Sequence, residues 1–355
     1  LAAPLIVRRP EDLSADRQEV VMFLHDFSFR PAQEILDEII GTAAQHDMGA
    51  MEGMQMGEGE MAGMDHSGMD MGSMDMTGMV MDLNDYNFDA YLANDRTLSD
   101  PEVVTVERGG RVRVRIVNAS AATSFWIDTG GLDARLVSVD GHEVDPLPGR
   151  RFGMAMAQRL DIEIDLPESG AWPIFALREG ERERTGIILA TAGAEINKIG
   201  GLSDVETPAF DTTLAQETLL KSAIATTAEP LEMRAVERSH VIMLGGSMAP
   251  YKWTIDGETW GTHKPITAKS GERVELTFHN LSMMGHPMHL HGHVFQVVNI
   301  NGTAIKGAVR DTFYVPPMAR ITVALDAGEA ARWMLHCHHM PHLSTGMMTE
   351  FAVSA

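Results

Sequence analysis

The segment that decides the fold class is VVTVERGGRVRVRIV, residues 103–117. Its second half alternates apolar and polar residues, which places every second side chain on the same face of a strand. The sequence Glu-Arg-Gly-Gly at 107–110 separates the two halves and is typical of a turn. The segment therefore predicts two short strands joined by a tight turn, with one face buried.

Similar short runs recur along the chain. They lie at 136–141, 160–164 and 186–190, and again at 240–244, 273–278, 294–298 and 321–325. Several short strands separated by turn signals are typical of a β-sandwich. We therefore predict an all-β chain with two sandwiches, at 85–195 and 237–355. A linker at 196–236 joins them and contains a short helix near 213–224.

The beginning of the chain has fewer strand signals. The runs Leu5–Val7 and Val20–Leu24 predict two strands, which are too few to bury a core by themselves. We therefore interpret residues 1–31 as the C-terminal strands of an incomplete N-terminal domain, the rest of which lies on a separate or preceding segment. Residues 32–84 are interpreted as a connector.

The connector contains a low-complexity segment at 46–82 with twelve methionines among Gly, Asp and Ser. The many glycines oppose a stable helix, so a flexible linker is one interpretation. A linker needs no methionine, however, and thioether sulfur selects Cu(I) over hard cations. We therefore favour a surface that collects soft metal ions, with His46 and His66 as further ligands.

Composition excludes some classes of function. The formal net charge of −22 opposes nucleic-acid binding, which needs a basic surface, and favours cationic partners including metal ions. The sequence contains no run of about 18 apolar residues of the kind that predicts a membrane span. Cys337 is the only cysteine, so an intrachain disulfide is excluded.

That cysteine lies in a cluster of metal-binding residue types. His336 and His338 flank Cys337, and His342 and Met347 follow it. In an extended strand the two flanking histidines face one side and the cysteine faces the other, so one strand can serve two metal sites and connect them covalently.

A second cluster, His286-Pro-Met-His289-Leu-His291, lies about fifty residues upstream. His286 with Cys337, His342 and Met347 gives two imidazoles, a thiolate and an axial thioether, the donor set of a blue copper electron-transfer site. Zinc also binds Cys and His, but this set with additional histidines suits copper better.

These motifs carry a resemblance to a known family. His286-Pro-x-His289-x-His291-Gly and His336-Cys337-His338-x3-His342-x4-Met347 resemble the two C-terminal signatures of multicopper oxidases, which include laccases and bacterial cuprous oxidases. The resemblance implies tandem cupredoxin-like Greek-key β-sandwiches and copper cofactors of type 1, type 2 and binuclear type 3. It implies that the type 1 ligands are His286, Cys337, His342 and Met347, that His289 binds type 2 copper, and that His291, His336 and His338 bind type 3 copper.

The resemblance also implies the activity. Electrons from a donor, foremost Cu(I), pass through Cys337 to His336 and His338, and dioxygen is reduced to water in the periplasm or outside the cell. Met283 and Met284 are candidate contacts for substrate Cu(I), with a packed loop pair as the alternative. Two alternative hypotheses are a laccase-like oxidase of phenols or amines and a non-catalytic, copper-binding electron-transfer fragment.

Two further expectations concern the completeness of the site. Family members supply the other trinuclear-site histidines as His-x-His pairs from an N-terminal domain, and residues 1–240 contain no such pair. Oxidase activity would therefore require ligands from a preceding domain or another chain. Asp311 could orient a ligand or accept a charge near the donor site, or it could form a structural salt bridge.

Overall fold

The computed structural model describes residues 3–41, 83–210, 213–222, 231–232 and 234–355. The methionine-rich segment at 46–82, which we interpreted as a collector of soft metal ions, lies outside the described residues. Within the described ranges, no helix is both long enough and apolar enough to cross a membrane.

The first sandwich contains eleven of the strands. They are β1 (Gln18–Phe27), β2 (Ala90–Ala93), β3 (Val103–Val106), β4 (Arg111–Asn118), β5 (Phe125–Asp128), β6 (Ala134–Val139), β7 (His142–Gly149), β8 (Arg151–Met154), β9 (Arg159–Asp165), β10 (Ala171–Arg178) and β11 (Arg184–Thr191). One sheet has the order β2-β1-β4-β9-β6-β7 and the other β3-β11-β10-β5-β8. Residues of both sheets form one apolar core, because alternate side chains of strands such as β9 point inward.

The second sandwich contains the remaining strands. They are β12 (Arg238–Met248), β13 (Tyr251–Ile255), β14 (Ile266–Lys269), β15 (Arg273–Asn280), β16 (His286–Leu290), β17 (Phe295–Ile300), β18 (Thr303–Ala304), β19 (Val309–Arg310), β20 (Thr312–Val315), β21 (Arg320–Asp326), β22 (Arg332–Cys337) and β23 (Met348–Ser354). One sheet has the order β13-β12-β15-β21-β17-β18, with β19 paired to β17, and the other β14-β23-β22-β16-β20. A second apolar core lies between them.

Short helices connect these units. They are α1 (Pro10–Ser14), α2 at residues 32–41, α3 (Thr213–Leu219) and α4 (Met340–Ser344). Ile35 and Ile39 of α2 lie one turn apart and pack into the core of the second sandwich. The chain therefore passes from the first sandwich to the second directly after β1. Helix α3 lies within the helix predicted in the linker.

The two sandwiches repeat one topology. In the first, β1 runs parallel to β4 and antiparallel to β2, and in the second β12 runs parallel to β15 and antiparallel to β13. Likewise β3 runs parallel to β11 as β14 runs parallel to β23. The prediction of an all-β chain of tandem sandwiches is thereby confirmed.

The repeat explains why the first residues differ from our expectation. We interpreted residues 1–31 as strands of another domain, but β1 pairs with β4 over Gln18–Leu24 and Val112–Asn118 and completes the first sandwich. The described residues 3–9, including Leu5–Val7, form no strand. The reason is that β1 takes the place that β12 takes in the second sandwich, a parallel pairing that local sequence does not encode.

Buried charges join the two sandwiches. Arg310, only 3% exposed, donates hydrogen bonds to Asp140 of the first sandwich and to Glu217 of α3. Arg159 of β9 donates from both Nη atoms to the carboxylate of Asp311. Paired charges can be buried between the two units where a lone charge could not.

Candidate metal centre

The two histidine-rich motifs lie on neighbouring antiparallel strands. Strand β16 pairs with β22 in a register that places Met288 opposite Cys337 and His289 opposite His336. Residues about fifty positions apart in sequence therefore meet in one sheet. The loop after β22 and helix α4 then bring His342 back toward Cys337.

His286, Cys337 and His342, which we call the donor triad, are fully buried, each 0% exposed. The two Nδ1 atoms lie 3.2 Å apart, and the Cys337 Sγ lies 3.8 Å from His286 Nδ1 and 3.7 Å from His342 Nδ1. A triangle with these edges has a point about 2.1 Å from all three atoms. Zinc, an ion close to copper in size, binds His nitrogen at about 2.0 Å and Cys sulfur at about 2.3 Å. The triad therefore fits one such metal ion.

The hydrogen bonds around His286 favour one of its two tautomers. The Ser282 hydroxyl lies 2.8 Å from the Oδ1 of Asn280, to which it donates, and 2.8 Å from His286 Nε2. Donation of the hydroxyl proton to this oxygen, or to the Met284 carbonyl 3.1 Å away, favours a His286 Nε2–H that donates to the hydroxyl and a lone pair on Nδ1. This lone pair points at the other two donor atoms, an arrangement that a cation stabilises.

Burial sets the protonation of the triad in the absence of metal. It raises the pKa of the Cys337 thiol above its usual value and lowers the pKa of both His286 and His342. The imidazoles are therefore neutral at pH 7, as a metal ligand must be, whereas the thiol loses its proton when a metal binds. The donor set of two neutral imidazoles and one thiolate fits copper.

The predicted axial ligand, Met347, lies in the same buried apolar cluster as Cys337. Its carbonyl accepts a hydrogen bond from the Cys337 amide at 3.1 Å, and its amide donates to the His342 carbonyl at 3.0 Å. The backbone thus ties the methionine to two members of the triad. Of the candidate Cu(I) contacts, Met283 is 36% exposed, whereas Met284 is 6% exposed and packs in the core.

His289, His291, His336 and His338, which we call the histidine quartet, form a second group. Their ring centroids lie 5.0 to 6.1 Å from one another in the pairs that touch, and the Nε2 atoms of His291 and His336 are 3.1 Å apart. His336 is buried and His291 is exposed, so the quartet opens onto the surface. Burial lowers the pKa of His336 to about 4, which keeps it neutral.

The first sandwich supports this quartet. His289 Nδ1 donates to the backbone oxygen of Asp311 at 2.8 Å and lies 3.0 Å from the Thr312 hydroxyl. The Asp311 carboxylate is held in turn by Arg159. The Asp311 carboxylate therefore forms the salt bridge, as one of the two interpretations expected, and its carbonyl fixes the orientation of the His289 ring.

Sequence reasoning missed three residues that touch the triad. Trp253 lies with its ring centroid 4.1 Å from that of His342 and 5.3 Å from that of His286. Asp85 Oδ2 lies 3.5 Å from His342 Nε2 and accepts a hydrogen bond from the Tyr251 hydroxyl at 2.5 Å. No local pattern marks these residues, because they reach the site from strand β13 and from the segment before β2.

The first sandwich has no equivalent donors at the matching positions. Asn118 hydrogen-bonds the carbonyl of Met154, and Asn280 hydrogen-bonds that of Val315, which aligns the two strand ends. In this alignment Phe125, paired with Met154, corresponds to His286, paired with Val315. Ala176 likewise corresponds to Cys337. Apolar side chains therefore occupy the places of two of the three triad members, His286 and Cys337.

Family models described as multicopper oxidase match residues 64–194 and 235–355. The chain is 32% identical over 271 residues to the multicopper oxidase MmcO of Mycobacterium tuberculosis, covering 76% of this chain and 51% of that protein. It is 24% identical to a copper resistance protein A homolog of Pseudomonas syringae pv. tomato, with 69% and 55% covered. The chain thus spans about half the length of the curated relatives it matches.

A crystal structure of Fet3p, described as a multicopper oxidase that functions in iron import, superposes with a TM-score of 0.72 at 13% identity, over 96% of this chain and 66% of that one. This likeness confirms the predicted cupredoxin-like fold. The two matched family models, together with the buried donor triad and the quartet beside it, lead to one conclusion: the chain belongs to the multicopper oxidase family, whose members carry copper centres.

Proposed function

We propose that this chain provides the electron-accepting copper site of an oxidase and half of the site that reduces dioxygen to water. The triad with axial Met347 would hold type 1 copper, His289 type 2 copper, and the other three quartet members type 3 copper. Copper in these sites supplies reversible one-electron chemistry. The observation that carries the proposal is that strand β22 contributes Cys337 to the triad and His336 to the quartet.

The contacts around Cys337 support an electron path between the two groups. Its backbone connects it covalently to His336 and His338. In addition, His336 Nδ1 lies 3.0 Å from the carbonyl oxygen of Cys337 and donates to it, which leaves the Nε2 lone pair facing His291. The His338 amide donates to the Pro287 carbonyl at 2.6 Å, which fixes the turn after the cysteine.

Three observations favour Cu(I) as the donor. The chain carries a net charge of −22, which attracts cations. Met347 as an axial thioether would hold the type 1 potential low in the range of such sites, which suits an easily oxidised donor. Relatives are named as copper resistance proteins. Oxidation of Cu(I) in the periplasm or outside the cell would limit its toxicity there.

Copper loading of the purified chain tests the type 1 assignment. The chain should gain a blue charge-transfer absorption band and bind copper at the triad. Cys337→Ser should abolish the band, because the thiolate is its source, whereas His279→Ala, a half-buried histidine outside both groups, should keep it. A colourless copper-loaded chain, or a blue Cys337→Ser variant, would refute the assignment.

The donor is tested by deleting residues 46–82 from the protein and comparing its oxidase activities. The deletion should impair oxygen consumption with Cu(I) and leave oxidation of a phenolic dye unchanged or faster, because only the metal donor uses thioethers. Equal loss of both activities would argue against a Cu(I)-collecting role. Strong dye oxidation with no Cu(I) oxidation in the intact protein would favour the laccase-like alternative.

A further inference from the structure

Asp85 brings a negative charge against the outer edge of the donor triad. It lies in the segment before β2, yet its side chain is 0% exposed and is buried against the second sandwich. Its Oδ2 lies 3.5 Å from His342 Nε2 and 3.5 Å from His339 Nε2. Neither imidazole nitrogen has a hydrogen bond within the described part of the chain.

A buried carboxylate needs compensation, and Asp85 receives it from three side chains. The Tyr251 hydroxyl donates a hydrogen bond to Oδ2 of Asp85, and the same oxygen faces the Nε2 atoms of His339 and His342. Oδ2 is therefore an acceptor, and it faces His342 Nε2 with the negative charge that a carboxylate ordinarily carries at neutral pH. Only the Tyr251 contact, at 2.5 Å, has the length of a hydrogen bond.

The charge has a consequence for the imidazole of His342. A neutral imidazole carries its proton on one nitrogen only, and an anion 3.5 Å from Nε2 stabilises the form with the proton on Nε2. The lone pair is then on Nδ1, which lies 3.7 Å from the Cys337 sulfur. Trp253, packed 4.1 Å from the His342 ring, prevents the ring from leaving this orientation.

We propose that Asp85 is a positioning residue for the triad: its charge selects the His342 tautomer that presents Nδ1 to the metal and stabilises the oxidised, more positive form of that metal. The second part of this proposal rests on the type 1 copper site proposed above. The first part concerns the chain without metal and can be tested separately.

The alternative role is a mechanical one, in which Asp85 only anchors its segment to Tyr251. Two substitutions separate the roles. Asp85→Asn removes the charge in a side chain of the same shape, whereas Tyr251→Phe removes the anchoring hydrogen bond and leaves the charge. Asp89→Asn is the matched control, because Asp89 is an exposed carboxylate on the same segment, bonded to Ser28 and Phe29.

The first measurement uses the copper-free chain. Nitrogen-15 NMR of the His342 ring should show the proton on Nε2 in the unaltered chain, in Tyr251→Phe and in Asp89→Asn, and a shift toward the other tautomer in Asp85→Asn. A proton on Nδ1 in the unaltered chain overturns the proposal. This readout stands even where Asp85→Asn fails to fold or copper fails to bind.

The second measurement is a redox titration of the blue band in the copper-loaded chain. Asp85→Asn should shift the ratio of oxidised to reduced copper about tenfold toward the reduced form at a fixed ambient potential, about 59 mV for one electron, in line with the effect of outer partners on metal sites. The reduction potential of the copper in Tyr251→Phe and in Asp89→Asn should stay near that of the parent protein.

The outcomes separate this proposal from the proposed function. No blue band in the unaltered chain refutes the type 1 copper site but leaves the NMR test of Asp85 decisive. Where the unaltered chain shows the blue band, two results overturn the role of the charge. In the first, Asp85→Asn leaves the reduction potential of the copper unchanged. In the second, Asp85→Asn and Tyr251→Phe change that potential equally.

Discussion

Replacing Asn280 by alanine should both destabilise the second sandwich and weaken its copper site. Asn280 lies at the end of β15 and is fully buried. Its Nδ2 lies 2.7 Å from the carbonyl of Met284, 3.1 Å from that of Val315 and 2.9 Å from that of Pro316. Its Oδ1 accepts from both the amide and the hydroxyl of Ser282.

The magnitude follows from these contacts. The amide has two N–H groups and two accepted bonds, so alanine removes about four buried hydrogen bonds at about 1 kcal/mol each, or about 4 kcal/mol in total. Ser282 also loses the acceptor that directs its hydroxyl and thereby orients His286. Copper affinity should therefore fall by about tenfold or more, as expected when the partner of a metal ligand is lost.

The internal repeat offers a matched control. Asn118 takes the same place in the first sandwich, where it donates to the carbonyls of Thr123 and Met154 and accepts from the Ser120 amide. Asn118→Ala should cost about 3 kcal/mol by the same reasoning and leave copper affinity unchanged, since no metal donor occupies that sandwich at this position.

The assays are urea unfolding of the copper-free variants and copper titration against a competing chelator. An Asn280→Ala variant within about 1 kcal/mol of the parent would contradict the stabilising role of this network. Equal losses of copper affinity in the two variants would show that the effect is general destabilisation and would refute the link to His286.

Two other perturbations follow from the same structure. Arg310→Met should lower the free energy of unfolding by about 3–5 kcal/mol, because Asp140 and Glu217 would lose their buried cation. Urea unfolding measures this loss, and a variant as stable as the parent protein would contradict the prediction. Copper affinity should rise about tenfold for each unit of pH between about 6 and 8, because metal displaces one proton from Cys337, whose pKa is raised, and none from the triad's already neutral imidazoles. Competition titrations at several pH values measure that slope, and a flat profile would be inconsistent with a protonated thiol.

The sequence predicted those parts of the fold that local patterns encode. The alternation of apolar and polar residues predicted the bounds of four strands within a residue or two, namely β4, β9, β15 and β21. It could do so because burial of one face of a strand constrains every second residue. The sequence also contains a repeat: Arg111 to Asn118 and Arg273 to Asn280 span the same interval, and each segment ends in Asn-x-Ser. It could have revealed the equivalence of the sandwiches and the partner of His286.

Pairings over long distances were not predictable in this way. Strand β1 reads as apolar in sequence, but its parallel partner β4 lies about ninety residues away, and alternation says nothing about which strand is the neighbour. The run Leu5–Val7 shows the converse, since it has strand character but finds no partner among the described residues. Strand character is local, whereas pairing is a property of the assembled sheet.

The metal centre shows the same difference between local sequence and tertiary structure. The sequence by itself indicated the candidate donors, because neighbouring side chains of a strand face opposite sides, as His336 and Cys337 do at the end of β22. Only the tertiary structure decided what surrounds them: it placed Asp85, more than 250 residues before His342, against that ligand's outer nitrogen. Coordination chemistry is carried by residue type and short spacing, but the electric field at a metal site depends on every charge that folding buries nearby.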